Sequence, residues 1–240
     1  MKKTHAKICS QTGLVLLALL LSFPLLASNP ERQTRPIGHF SKISVSSGVD
    51  LFLAQGQQEQ LSVEADAELI AHLVTQVEGE TLQIYLKKRD NWNWNWDRSC
   101  KVYVSFQDLT SLEASAGADV LGEGTIKVGK ISLSVSSGAD LVLRNLVASE
   151  VKIDTSSGSD AELAGSTQVL VASSSSGSDI DCSKLQSVTS TAQASSGSDI
   201  LLVATGSLTA SASSGGDIEY QGKPRQKTID ESSGGSVREY

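Results

Sequence analysis

Apolar and polar residues alternate with period two through most of this chain, and a short Ser-Ser-Gly-x-Asp tract interrupts the alternation at regular intervals. Upstream of Gly138 the apolar positions are Val135, Leu133 and Ile131. Downstream of Asp140, Leu141 and Leu143 alternate with Val142 and Arg144. This is the pattern of a strand with one buried face. Each interval therefore predicts a strand, a glycine-centred corner and a second strand. An interval of about twenty residues is too short for a strand–helix–strand unit, which needs about thirty.

The tract recurs with glycines at Gly48, Gly117, Gly138, Gly158, Gly177, Gly197 and Gly215, and a decayed copy ends at Gly234–Ser236. From Gly117 the glycines step by 21, 20, 19, 20, 18 and 19 residues. Self-similarity at such a period marks a solenoid whose repeats stack on one another. Stacking in register makes files of inward side chains. One file is Val135, Thr155, Ser174, Ala194 and Ala212; another is Leu141, Ala161, Ile180, Ile200 and Ile218. The first file shrinks downstream, so the interior thins. The predicted fold is all-β: a single-stranded parallel β-helix with about 20 residues per coil.

Glycine supplies the positive φ that a tight corner needs. The flanking Ser hydroxyls and the Asp carboxylate are placed to satisfy backbone N–H groups that leave the ladder at the bend.

The stretch between Gly48 and Gly117 breaks the period and is long enough for about three coils. Residues 66–74 have helical spacing behind an Asp66 cap. A Glu78-Gly79-Glu80 turn and a strand at 81–86 follow, so residues 66–100 are expected to form a helix and a hairpin-like insertion. The insertion carries Trp92, Trp94 and Trp96, all three tryptophans of the chain. Spaced by two, they project from one side of an extended segment. Either they cover an open end of the solenoid, or they form an aromatic platform for a sugar or a partner surface.

The chain opens with Lys2, Lys3 and Lys7 ahead of an apolar run from Gly13 to Leu26, the pattern of a signal peptide over residues 1–28. Its removal would shift the net charge from −7 to −10. So acidic a chain is a poor partner for nucleic acid, and contact with a membrane is expected only through an uncleaved leader. Cys100 and Cys182 fall on inward files and read as buried thiols, with a disulfide allowed by the compartment but not demanded.

In a parallel stack, Asp140, Asp160, Asp179 and Asp199 form a row about 4.8 Å apart. Such a row repels itself, and bound Ca²⁺ is one way to offset that; these four aspartates are the candidate metal ligands. No other cofactor is expected. The carboxylates are spread evenly instead of gathering in one place. The chain also carries no Gly-x-Ser-x-Gly elbow, paired-His zinc motif or phosphate loop, so no enzyme is expected.

The leader, the stretch Ile43–Leu51 around Gly48, the interrupting helix and strand, the serial Ser-Gly-x-Asp corners and the ending at Gly222-Lys223-Pro224 together resemble a bacterial exported family. It is the auto-transporter adhesin head domain, or GIN domain, common in Bacteroidetes. The resemblance covers residues 36–240 and implies a right-handed β-helix-like solenoid with no catalytic residues. The expected function is an adhesin-like or envelope binding module, located in the periplasm, outer membrane or cell surface, with a protein or glycan component as partner. A carbohydrate-binding or carbohydrate-active β-helix centred on Trp92, Trp94 and Trp96 is the alternative, and a calcium-binding repeat protein the second.

Overall fold

The computed structural model describes residues 31–87 and 99–240. The leader and Trp92, Trp94 and Trp96 lie outside these residues. In chain order, β1 (Glu31–Arg35) precedes β2 (Lys42–Val45) and β3 (Asp50–Gln55), which flank the Gly48 corner. The interrupting stretch holds β4 (Gln60–Ala65), α1 (Ala67–His72), β5 (Leu73–Glu78), β6 (Thr81–Leu86) and β7 (Lys101–Phe106). Around Gly117 lie β8 (Ser111–Ala114) and β9 (Asp119–Glu123). Five long strands follow: β10 (Ile126–Ser136), β11 (Asp140–Ser156), β12 (Asp160–Ser175), β13 (Asp179–Ser195) and β14 (Asp199–Ser213). The chain closes with β15 (Asp217–Gln221), β16 (Gln226–Glu231) and β17 (Ser236–Glu239).

From β10 to β14 each strand pairs parallel and in register with the next, so Asp140, Asp160, Asp179 and Asp199 stack. Both predicted files form as expected and are buried along their length. The fold is a β-helix. Its coil differs from the two-strand unit expected from alternation. In β11, Arg144 and Asn145 are both exposed between buried Leu143 and Leu146, and the phase slips again between buried Ala148 and Val151. Two consecutive outward residues mark a bend. The coils of β11 to β14 therefore turn again beyond the glycine corner while the backbone stays in the ladder.

The first corner also stacks differently from a simple run of consecutive windows. β2 lies between β6 and β8, and β3 between β7 and β9. The interrupting stretch thus adds one coil, β6–β7, on the outer side of the Gly48 coil, and none between Gly48 and Gly117. The rest of it, joined by β1, caps the stack with antiparallel strands: β5 on β6, β4 on β7, and β1 on β4. Antiparallel additions close the first coil with chain instead of leaving a bare parallel edge. Arg35 holds the cap together, its guanidinium donating to the Leu73 carbonyl (2.7 Å), the Ile70 carbonyl (2.9 Å) and Thr75 Oγ1 (3.0 Å).

The core is bulky near this cap, where Phe40, Phe106, Leu53 and Ile84 are fully buried, and thins to Ala192, Ala194, Ala210 and Ala212 downstream. At the far end, Lys227, Ile229 and Glu231 occupy the inward positions that Leu208, Ala210 and Ala212 hold one coil earlier. Charge in an inward file blunts that edge against further strand pairing.

Candidate functional site

Two surfaces stand out: the column of corners, and the outer face of the cap beside it. At each corner two successive residues adopt positive φ, the glycine and the residue before it. Gly48, Gly117, Gly138, Gly158, Gly177, Gly197 and Gly215 lie between 64° and 74°. The preceding Ser47, Ala116, Ser137, Ser157, Ser176, Ser196 and Ser214 lie between 52° and 66°. The second left-handed residue was not expected from the sequence. Corners also bond to one another: the Gly138 N–H donates to the Ser157 carbonyl (3.2 Å), and Gly158 to Ser176 (3.2 Å).

The variable residue of the tract is the buried one. Val49, Ala118, Ala139, Ser159, Ser178 and Ser198 all have no exposed surface. At Ser159 and Ser198 the hydroxyl does the work expected of the flanking serines. Ser198 Oγ accepts the Ser195 N–H (3.0 Å) and donates to the Ser174 carbonyl of the preceding coil (2.8 Å). A legible signal existed: x is apolar at Val49, Ala118 and Ala139, as an inward position requires.

The aspartates behave as the register demands. Asp50, Asp119, Asp140, Asp160, Asp179, Asp199 and Asp217 form one row, met by Lys101 at one end and Ser236 at the other. Asp179 Oδ1 accepts the Asp199 N–H at 3.2 Å. Burial first, and neighbouring aspartates second, push the Asp119, Asp160 and Asp199 carboxyls above their ordinary value of 3.8. The row brings the four predicted metal candidates together, one carboxylate per level. Among the described residues no group of three or more His, Cys, Asp or Glu is arranged to hold a metal ion.

Trp92, Trp94 and Trp96 lie outside the described residues, but the strands on either side of them, β6 and β7, are described. Ile84 pairs with Val45 and Lys101 with Asp50, so β6 ends and β7 begins beside the Ser46–Val49 corner in the outermost coil. Cys100, just before β7, is a buried free thiol that burial, with Asp50 nearby, pushes up to about 12; Cys182 is likewise free, buried and raised. Neither is poised as a nucleophile.

On the outer face of the cap lies a groove of about 890 Å³. Phe52 and Tyr103 stack there with ring centroids 4.9 Å apart and planes 19° apart, and the Arg32 guanidinium sits 5.2 Å from the Tyr103 centroid. Glu59 at the rim accepts from His39 Nδ1 at 2.7 Å, and this hydrogen bond holds its carboxyl below the ordinary value of 4.5. The alternation rule marks Phe52 and Tyr103 as outward, but the pairing that joins them across strands distant in sequence was not predicted.

The solved structures most relevant to this fold share little sequence with it. A putative adhesin from Bacteroides fragilis superposes with a TM-score of 0.80 at 18% identity, covering 89% of this chain and 98% of its own. A putative lipid binding protein from Parabacteroides distasonis gives 0.69 at 21% identity over 89% and 98%, and a putative adhesin from Parabacteroides merdae 0.70 at 17% over 89% and 97%. These likenesses concern the fold. No curated protein matches the sequence. Residues 39–224 match the family described as "putative auto-transporter adhesin, head GIN domain", and the chain belongs to that family.

Proposed function

We propose that the protein is an exported, non-enzymatic binding module that engages a protein or glycan of the cell envelope or surface through its column of corners. One observation carries this reading: seven copies of the same corner geometry, from Gly48 to Gly215, sit in one register and set a glycine and an aspartate at strand spacing along one edge. A rigid ladder of this kind sums weak contacts, because each contact after the first is made at a high effective concentration. Family membership and the adhesin descriptions of the B. fragilis and P. merdae structures support it. The leader motif supports export, and among the described residues no helix is long and apolar enough to cross a membrane.

The test is a change of ladder length. Deleting residues 157–195 joins Ser156 to Ser196, the residue that follows its in-register partner Ser195 two coils on, and removes two corners without shifting the phase. Retention of envelope fractions on the immobilised protein should fall by much more than the share of corners lost. Undiminished retention by the folded short form would refute the ladder as the contact surface. Fractionation with surface proteolysis then decides between periplasm and cell exterior.

A further inference from the structure

Side chains that face outward from a solenoid meet water and need no apolar character. On the side that follows the corners, the row of outward positions two residues past the aspartates reads Glu162, Asp181, Leu201, Glu219 and Arg238 over the later coils. Over the first coils the same row reads Ser62, Tyr103, Phe52, Leu121 and Val142. Four neighbouring strands thus carry a continuous apolar strip, half-buried and headed by the stacked aromatic pair. Nothing of the interior requires it, because the core lies on the other face of these strands.

The rows on either side are polar. One holds Glu64, Lys101, Asp50, Asp119 and Asp140; the other holds Gln60, Ser105, Ala54 and Glu123. The groove of about 890 Å³ opens over the small outward residues Ser62, Ser105 and Ala54, between the aromatic pair and the Pro36–Ile37 segment. The strip therefore combines the outward edges of the stacked rings, the Leu121 and Val142 side chains beside them, open space, and a rim of carboxylate, amide and hydroxyl groups.

We propose that this strip is a binding site for a neutral saccharide. A pyranose presents an apolar C–H face that packs on a strip of aromatic edges and aliphatic side chains, and its hydroxyl edge bonds to carboxylate and amide acceptors at a rim. The charge balance selects the class. In the groove itself Glu59 and Glu123 face Arg32 and Arg35, and the Arg35 guanidinium is taken up by the cap carbonyls. The adjoining row of Glu64, Asp50, Asp119 and Asp140 against Lys101 leaves the surroundings acidic, a field that disfavours uronic or sulfated chains. The site is separate from the corner ladder and stands or falls without it.

Titration calorimetry of the protein with neutral β-1,4-glucan and α-mannan hexasaccharides, alongside an oligogalacturonate, tests the assignment. At least one neutral hexasaccharide should bind, and the oligogalacturonate at least tenfold more weakly. F52S and Y103S should each weaken neutral binding tenfold or more, Tyr103→Phe should retain it, and the ladder variant D160N/D179N should leave it unchanged. Hydroxyl-radical footprinting of the unsubstituted protein should show Phe52 and Tyr103 protected by the bound sugar, a result that needs no variant to fold. Absence of binding by both neutral sugars, preference for the charged chain, or protection elsewhere would each overturn the proposal. A loss of binding in D160N/D179N with F52S unaffected would overturn it too, and would favour the ladder.

Discussion

The Gly48 N–H donates to the Ala116 carbonyl at 3.1 Å, although the whole interrupting stretch separates them in sequence. The first coil of the chain is therefore an interior coil of the stack, flanked by β6–β7 on one side and β8–β9 on the other. An N-terminal segment in this position must be in place before either neighbour can complete its ladder.

Truncations at the two ends should consequently differ. We predict that deleting residues 222–240, which removes β16 and β17, leaves a folded protein with a lower melting temperature and a stronger tendency to aggregate. The charged inward file of Lys227 and Glu231 is lost, and the β14 and β15 edges are bared. Deleting residues 42–55 instead removes the coil between the cap and the solenoid. Limited proteolysis should then cut within β4 and β5 while the coils from β10 onward resist. Equal resistance of the cap in both truncations would contradict the interior placement.

The left-handed pair at each corner has a measurable cost. An L-residue in that region is disfavoured by roughly 1–2 kcal/mol, and Asn tolerates it better than Ala. Ala116, at φ 52°, is the one non-serine in its position among the Gly48–Gly215 corners. Ala116→Asn should stabilise by about 0.5–1 kcal/mol in denaturant titration. Glycine replacements should split by space. A Cβ at Gly138 meets nothing within 4 Å, so Gly138→Ala should cost only the conformational penalty of roughly 1–2 kcal/mol. A Cβ at Gly216 would lie 2.6 Å from the Ala194 carbonyl carbon, so Gly216→Ala should cost well over that. Similar losses at both positions would show that the stacked backbone yields.

Inside the thinning core, Thr155 Oγ1 donates to Ser174 Oγ (2.8 Å), which donates in turn to the Ser178 carbonyl (2.6 Å). All three residues are buried. Ser174→Ala strands the Thr155 hydroxyl and should cost about 1–3 kcal/mol. Adding Thr155→Val removes the stranded group and should recover much of that loss. Chemical denaturation of the two single variants and the double variant gives the coupling directly, and strict additivity would mean that the hydroxyls do not act as a chain.

How much of this could be read from residues alone follows from what repeats. The inward files Val135–Ala212 and Leu141–Ile218 and the aspartate row were legible because register copies one coil's chemistry into the next. The bending of these coils beyond the glycine corner was hidden, since a single phase slip such as Arg144-Asn145 looks like noise in an alternating pattern. The stacking of Gly48 on Gly117 was invisible for a different reason. It pairs segments with no local signal connecting them, as does the meeting of Phe52 with Tyr103. The helix at 67–72 was legible from spacing, but the Arg35 side chain that ties its last turn to β5 was not.

The aspartate row makes the pH dependence unusual in sign. Asp119, Asp160 and Asp199 have folded values above 3.8, raised by burial and then by their neighbours in the row. In the window just above that value the folded chain binds more protons than the unfolded one, so these groups weaken the fold at neutral pH and relax as the pH falls into the window. Glu59 runs the other way. Its value is held below 4.5 by His39, and its contribution is present above 4.5 and lost as the pH falls through its folded value. The denaturation midpoint should rise as the pH falls from 7 into the window just above 3.8, before general acid unfolding sets in. Added salt at pH 7 should reproduce the part of the rise that comes from neighbouring aspartates, since screening does not relieve burial. Asp160→Asn, which removes the charge between Asp140 and Asp179 while keeping an acceptor oxygen, should stabilise by about 0.5 kcal/mol at pH 7 and flatten the profile. A midpoint that falls steadily below pH 7 and is indifferent to Asp160→Asn would show that the corner backbone already neutralises the row.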